Sequence, residues 1–226
     1  MYSLSLSFTY HHLPRTTTSK YFWSIMIRFD GLQPEVMQAM CTPMHLIVKA
    51  SPASQSRPAM GALYLGSLSA TMEKSILHEH KITHLVQVLD VPWLPITEKD
   101  GFECYRIDIL DIPSANLRGE LEGACKDIDN ALRGGQNVLV HCQQVNCLPH
   151  PRRVSPHLIS VTMQGVSRSA AVVIAYLIRH HAMSYDSAFS YVKSKRQCIN
   201  PNSGFIETLK AWERQWRPPA VRRHTG

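Results

Sequence analysis

Two short stretches decide how this chain folds: Val138-Leu139-Val140-His141-Cys142, and Gly165-Val166-Ser167-Arg168-Ser169-Ala170. The first is an apolar, β-branched run ending in a cysteine, the pattern of a buried strand. The second leads into Ala171-Val172-Val173-Ile174-Ala175-Tyr176-Leu177-Ile178, an apolar stretch of helical length. Placed end to end they read as a strand, a His-Cys pair, a Gly-containing turn, then Arg and Ser at a helix N-terminus. Backbone N–H groups, a helix N-terminus and a guanidinium each favour a thiolate over a thiol, which makes a cysteine nucleophilic at neutral pH. The same N–H groups and helix dipole attract a phosphate dianion. Arg168 can clamp two of its oxygens at once, which a lysine cannot.

These residues resemble the His-Cys-x-x-Gly-x-Ser-Arg-Ser signature of the dual-specificity branch of the Cys-dependent protein tyrosine phosphatases. The departure is the spacing: 22 residues separate Cys142 from Gly165 where the signature has two. Removing Val145 to Gln164 leaves His-Cys-Gln-Gln-Gly-Val-Ser-Arg-Ser and restores it. Every Val codon begins with GT and one Gln codon ends in AG, so this segment has the form of a translated in-frame intron. It carries three prolines and no acidic residue and follows neither a helical nor a strand period, so it reads as a loop. Cys142, Cys147, His150 and His157 offer soft and imidazole donors, but their spacing fits no paired zinc pattern. No metal or other cofactor is expected.

The resemblance implies a phosphocysteine formed on Cys142, with Arg168 binding the phosphoryl group. The loop Gln143, Gly165, Val166, Ser167 and Arg168 would cradle that phosphate. It further implies that His141 tunes the thiol through hydrogen bonding and that Ser169 stabilises the sulfur as it leaves phosphorus. The departing oxygen needs a proton, supplied in this family by an Asp about thirty residues before the Cys. Asp111 lies 31 positions upstream, ahead of a Pro-containing loop, and is assigned as general acid and then general base. Asp108 is the alternative, although it should fall inside the preceding strand. Asn200-Pro201-Asn202-Ser203-Gly204-Phe205 resembles the Pro-Asn-x-Gly-Phe turn of the same family.

Outward from this centre, strands are expected at Ala62–Gly66, Ile82–Leu89, Phe102–Leu110 and 137–141. Helices are expected from Thr71 to His80, along the Leu117, Leu121, Cys125, Ile128, Leu132 face up to Gly134-Gly135, over 167–181, from Ser184 to Arg196, and from Ser203 to Trp216. Alternating strands and helices of these lengths give an α/β fold: a central, mostly parallel or mixed twisted sheet flanked by helices, phosphotyrosine phosphatase-like. Cys142 then falls past a strand's carboxyl end, where open sheets bind ligands. The division expected is a leader over 1–58, the phosphatase domain over 59–216 with its insert at 145–164, and a basic tail over 217–226. Residues before Asp30 include no acid and many hydroxyls, which fits a disordered leader, a mis-assigned start or a transit peptide. Ser51 to Pro58 reads as a linker.

The 226 residues are 44% hydrophobic and 18% charged, enough for one domain with a sizeable core. A net charge of +7 favours anionic substrates, while the absence of a clustered Lys/Arg run argues against nucleic acid. No run of 18 apolar residues is present, so no membrane span is expected. Six irregularly spaced cysteines point to a reducing compartment, cytoplasmic or nuclear. Cys104 and Cys125 are candidates to resolve an oxidised Cys142, against ordinary buried thiols. The rejoined loop contains no lysine, which favours phosphorylated protein substrates over phosphoinositides or polyphosphates. The rival reading is a catalytically dead, phosphate-binding scaffold in which the insert has displaced the cradle; the sequence leaves the oligomeric state open.

Overall fold

Val138, Leu139 and Val140 are fully buried, as an apolar strand must be when both faces of its sheet are covered. The computed structural model describes residues 42–54, 58–90, 96–142 and 166–216, and the backbone of four short strands, β1 (Leu6–Phe8), β2 (Ile25–Ile27), β8 (Gln144–Asn146) and β9 (Ser160–Thr162). The main sheet contains β3 (Met44–Val48), β4 (Leu63–Ser67), β5 (Ile82–Val88), β6 (Glu103–Ile107) and β7 (Asn137–Cys142), in the order β3-β4-β7-β5-β6. All neighbours are parallel except β3, which runs antiparallel along β4 at the edge. β7 is the middle strand, and its last residue, Cys142, is level with Ser67 of β4 and Val88 of β5.

The helices follow from their sequence. α3 (Leu117–Arg133) buries Leu117, Leu121, Cys125, Ile128 and Leu132 on one stripe. It ends where Gly134 and Gly135 turn the chain, Gly135 at a φ of 79° that a β-carbon resists. α4 (Arg168–His180) is buried from Arg168 to Ile178, consistent with its apolar character all round. α5 (Tyr185–Lys195) starts at Ser184, whose hydroxyl accepts the Ser187 N–H, and α6 (Ser203–Trp216) follows. α3 and α4 pack on the face formed by Leu63, Leu65, Val86, Val88, Val138 and Val140. Leu85 and Leu139, alternate residues on the same strands, meet Met44, Ala70, Leu77, Ile96 and Phe102 in a second core cluster.

Three elements differ from the sequence expectation. The sheet takes in residues upstream of Ala59, since Met44–Val48 pairs with β4 and Ile47 enters the core. The helix expected from Thr71 to His80 is two short ones, α1 (Ser69–Met72) and α2 (Lys74–Glu79), separated at Glu73, whose backbone is extended. The insert, read as a loop, holds an antiparallel pair close to its two ends: Gln144, the residue before it, lies opposite Thr162, Val145 opposite Val161 and Asn146 opposite Ser160.

Candidate active site

The topology rejoins the divided motif in space. Cys142 sits at the carboxyl end of the middle strand, 1% exposed, and α4 begins beside it. The Ser169 hydroxyl donates to the Cys142 Sγ across 3.1 Å although the two are 27 positions apart. A hydroxyl donating to sulfur stabilises negative charge there, which suits both a thiolate nucleophile and a thiolate leaving group.

Arg168, next to Ser169 and 1% exposed, turns its guanidinium across the strand ends. Its Nη1 donates to Asp90 Oδ1 at 2.5 Å and to the Ile109 carbonyl at 3.0 Å. Asp90 follows β5 and Ile109 follows β6, so one cation ties together the end of the strand beside the one that carries Cys142 and the end of the next strand out.

Asp111 is a second carboxylate that the fold brings to the motif. Its Oδ1 accepts from the Ser167 hydroxyl at 2.7 Å and from Asn202 Nδ2 at 2.9 Å, one residue away from Arg168. The Asn202 N–H donates in turn to the Ser167 hydroxyl at 3.2 Å, and Asn202 Oδ1 accepts the Phe205 N–H at 3.0 Å in the first turn of α6. The Asp111 loop lies so close to α6 that a β-carbon on Gly204 would stand 1.9 Å from the Pro113 carbonyl oxygen. That contact is a physical reason for glycine in the Pro-Asn-x-Gly-Phe turn. Asp108, by contrast, has a side chain 67% exposed and pairs with Arg106 at 2.6 Å.

His141 departs from its expected role. It is fully buried, neither ring nitrogen meets a hydrogen-bond partner among the described residues, and burial lowers its pKa to about 4. It is therefore neutral at neutral pH and adds no positive charge beside the thiol. Val166 is buried and its carbonyl accepts the Asn200 N–H at 2.8 Å, fastening the turn before α4 to the segment before α6. Gln143 and Gly165 lie outside the described residues, as do Cys147, His150 and His157.

Burial pushes Cys104 up to about 11 and Cys125 up to about 12, so both are thiols at neutral pH. Cys198 is within electrostatic reach of Cys142; its own pKa is raised by burial while Arg196 opposes the rise. Cys198 carried no functional signal of its own in the sequence, and Asn202 stood out only as part of the turn resembling Pro-Asn-x-Gly-Phe. Their nearness to the site depends on how the segment between α5 and α6 folds back onto α4.

The sequence matches the family model described as Dual specificity phosphatase, catalytic domain, over residues 63–144 and 161–215, more than half of the chain. The chain belongs to this family. The break in the match falls inside the segment that interrupts the motif. The chain is 35% identical over 154 residues to Dual specificity protein phosphatase MPK-4 of Drosophila melanogaster, an alignment covering 67% of this chain and 34% of that protein. It is 33% identical over 156 residues to mouse Serine/threonine/tyrosine-interacting protein, covering 67% of this chain and 61% of that one. The chain thus spans about a third of the first of these curated relatives and about three fifths of the second. Among solved structures, the human tyrosine phosphatase-like serine/threonine/tyrosine-interacting protein is similar at 31% identity and a TM-score of 0.56, over 68% of this chain and 92% of that one. Human DUSP28 is similar at 29% identity and a TM-score of 0.58, over 76% of this chain and 94% of that one. This dual specificity phosphatase fold accounts for the mixed five-stranded sheet and its helices.

Proposed function

We propose that this domain hydrolyses phosphotyrosine and phosphoserine or phosphothreonine in proteins through a phosphocysteine on Cys142. The observation that supports this best is the convergence of Cys142, Ser169, Arg168 and Asp111 on one end of the sheet in spite of the intervening residues. In the first step the Cys142 sulfur attacks phosphorus and the ester P–O bond breaks. The Asp111 carboxyl gives its proton to the departing oxygen while Arg168 holds two of the phosphoryl oxygens. In the second step water attacks phosphorus, Asp111 takes its proton, and the P–S bond breaks with Ser169 donating to the departing sulfur. Both steps balance with water and the chain's own groups. Cytoplasm or nucleus is the compartment that suits free thiols.

A second reading, a catalytically silent phosphate-binding scaffold, is favoured by one feature. Gln144 and Thr162 stand opposite each other as strand partners, where a short loop would join residue 144 directly to Gly165. Amides from this part of the cradle are then displaced, and a shift of about 1 Å can cost on the order of a hundredfold in rate. Turnover of p-nitrophenyl phosphate and phosphopeptides, by this chain and by one lacking 145–164, separates the readings, with Cys142→Ser as control. Faster turnover by the shortened chain supports the phosphatase reading together with the disrupted cradle. Equal rates contradict the disruption. No turnover by either leaves the scaffold as the better reading.

A further inference from the structure

Arg168 is held in a way that the signature does not specify. In the row across the strand ends, Cys142 of β7 is level with Val88 of β5, and Val88 with Ile107 of β6. Two residues further along their chains stand Asp90 and Ile109, and both bond the same nitrogen, Nη1 of Arg168. Nη1 has two hydrogens, so the Asp90 carboxylate and the Ile109 carbonyl use both. Rotation of the guanidinium about its Cζ–Nε bond then has to break both. Two parallel bonds to a phosphoryl group can be made from the Nε and Nη2 edge. Nε is buried and meets no acceptor among the described residues.

We infer that Asp90 is a positioning residue: it fixes the plane of the Arg168 guanidinium so that its Nε and Nη2 edge faces a tetrahedral oxyanion. This rests on the phosphatase reading of the site and deepens it. A carboxylate beside an anion site looks unfavourable by charge alone. An unpaired guanidinium buried to this degree, however, costs more than it supplies, and a clamp gains from being oriented before its ligand arrives. Asp90 is part-exposed, with a side chain 32% accessible, whereas Arg168 is enclosed, so the carboxylate acts from the rim on a cation inside.

The two roles open to Asp90 have opposite signs. If it only competes with the anion for Arg168, removing it tightens binding; if it orients Arg168, removing it weakens binding. Tungstate, a tetrahedral dianion that needs no turnover, is the probe, titrated calorimetrically into the full chain. Asp90→Ala should weaken tungstate binding about tenfold, the size expected for losing a charge-assisted bond. Asp90→Asn keeps an acceptor and should lie between the two. In an Arg168→Lys background, which has no planar fork to orient, Asp90→Ala should change affinity less than about twofold. Should Asp90→Ala melt too low to titrate, Asp90→Asn alone decides, with a loss of about threefold supporting the inference. Unchanged or tighter binding in either Asp90 variant, or a loss that persists with Lys at 168, overturns it. A parent chain that takes up no tungstate at millimolar concentration overturns this inference, whereas the phosphatase reading falls only if the chain lacking 145–164 also shows no turnover, an outcome distinct from failure of the Asp90 variants.

Discussion

Asp111 and Asp108 show what three positions mean at the end of a strand. Asp111 is anchored to Ser167 and Asn202, and Asp108 faces solvent beside Arg106. Asp111→Asn should lower kcat on phosphopeptides about a hundredfold or more and should cost less on p-nitrophenyl phosphate, whose leaving group needs little protonation. Asp108→Asn should stay within about twofold on both. Steady-state kinetics on the two substrates checks this pair. A different residue, His84, contributes to the pH dependence of folding. Burial disfavours its charged form, but hydrogen bonding and charge from Asp127, at 2.7 Å, and then Glu103 outweigh this and raise its pKa above 6.5. A raised folded pKa stabilises most below the unfolded value, and the gain is lost as pH rises through the folded one. His84→Gln should therefore destabilise more at pH 5.5 than at pH 9 in urea melts, and an equal loss at both would contradict the ion-pair account. The residues bearing the chemistry were legible because the signature joins the nucleophile, cation and hydroxyl in one local pattern. Asp90 was not legible, since it lies 78 positions from Arg168 and comes near it only through the pairing of β5 beside β7.

At the scale of elements, the Asp111 loop and α6 approach each other closely at Gly204. Gly204→Ala should push the two apart, because the new methyl group would overlap the Pro113 carbonyl. About 1–3 kcal/mol of stability should be lost in denaturant titration. Activity should fall by more than global unfolding explains, since Asp111 moves with its loop. The long helices were readable from period and caps: the apolar stripe of α3, the Ser184 hydroxyl at the start of α5, and the glycines after α3. The strand Met44–Val48 was not. It follows a stretch poor in acids and precedes a Pro- and Ser-rich linker, and what makes it a strand is an edge of β4 waiting for a partner. Tyr191 of α5 also holds it, its hydroxyl donating to the Ile47 carbonyl at 2.7 Å. The break at Glu73 was equally hidden, because Thr71 to His80 contains no glycine or proline to mark it.

For the whole molecule, the question is how a sheet-and-helix domain tolerates extra residues in its phosphate loop. Closure entropy grows only logarithmically, so a loop of this length costs about 2–4 kcal/mol. Pairing between β8 and β9 returns the chain toward its starting point. Removing 145–164 should raise the denaturation midpoint and leave the slope with denaturant nearly unchanged, since the surface exposed on unfolding changes little. The fold therefore absorbs the extra residues at little cost. The central claim is that Cys142 carries the phosphoryl group while Arg168 binds it. The most direct measurement is rapid quenching of the shortened chain carrying Asp111→Asn with p-nitrophenyl phosphate, followed by mass spectrometry of the peptide containing residue 142. The account predicts phosphate on Cys142, absent when Cys142 is Ser and sharply reduced when Arg168 is Lys; phosphate released without any modification of Cys142 would contradict it.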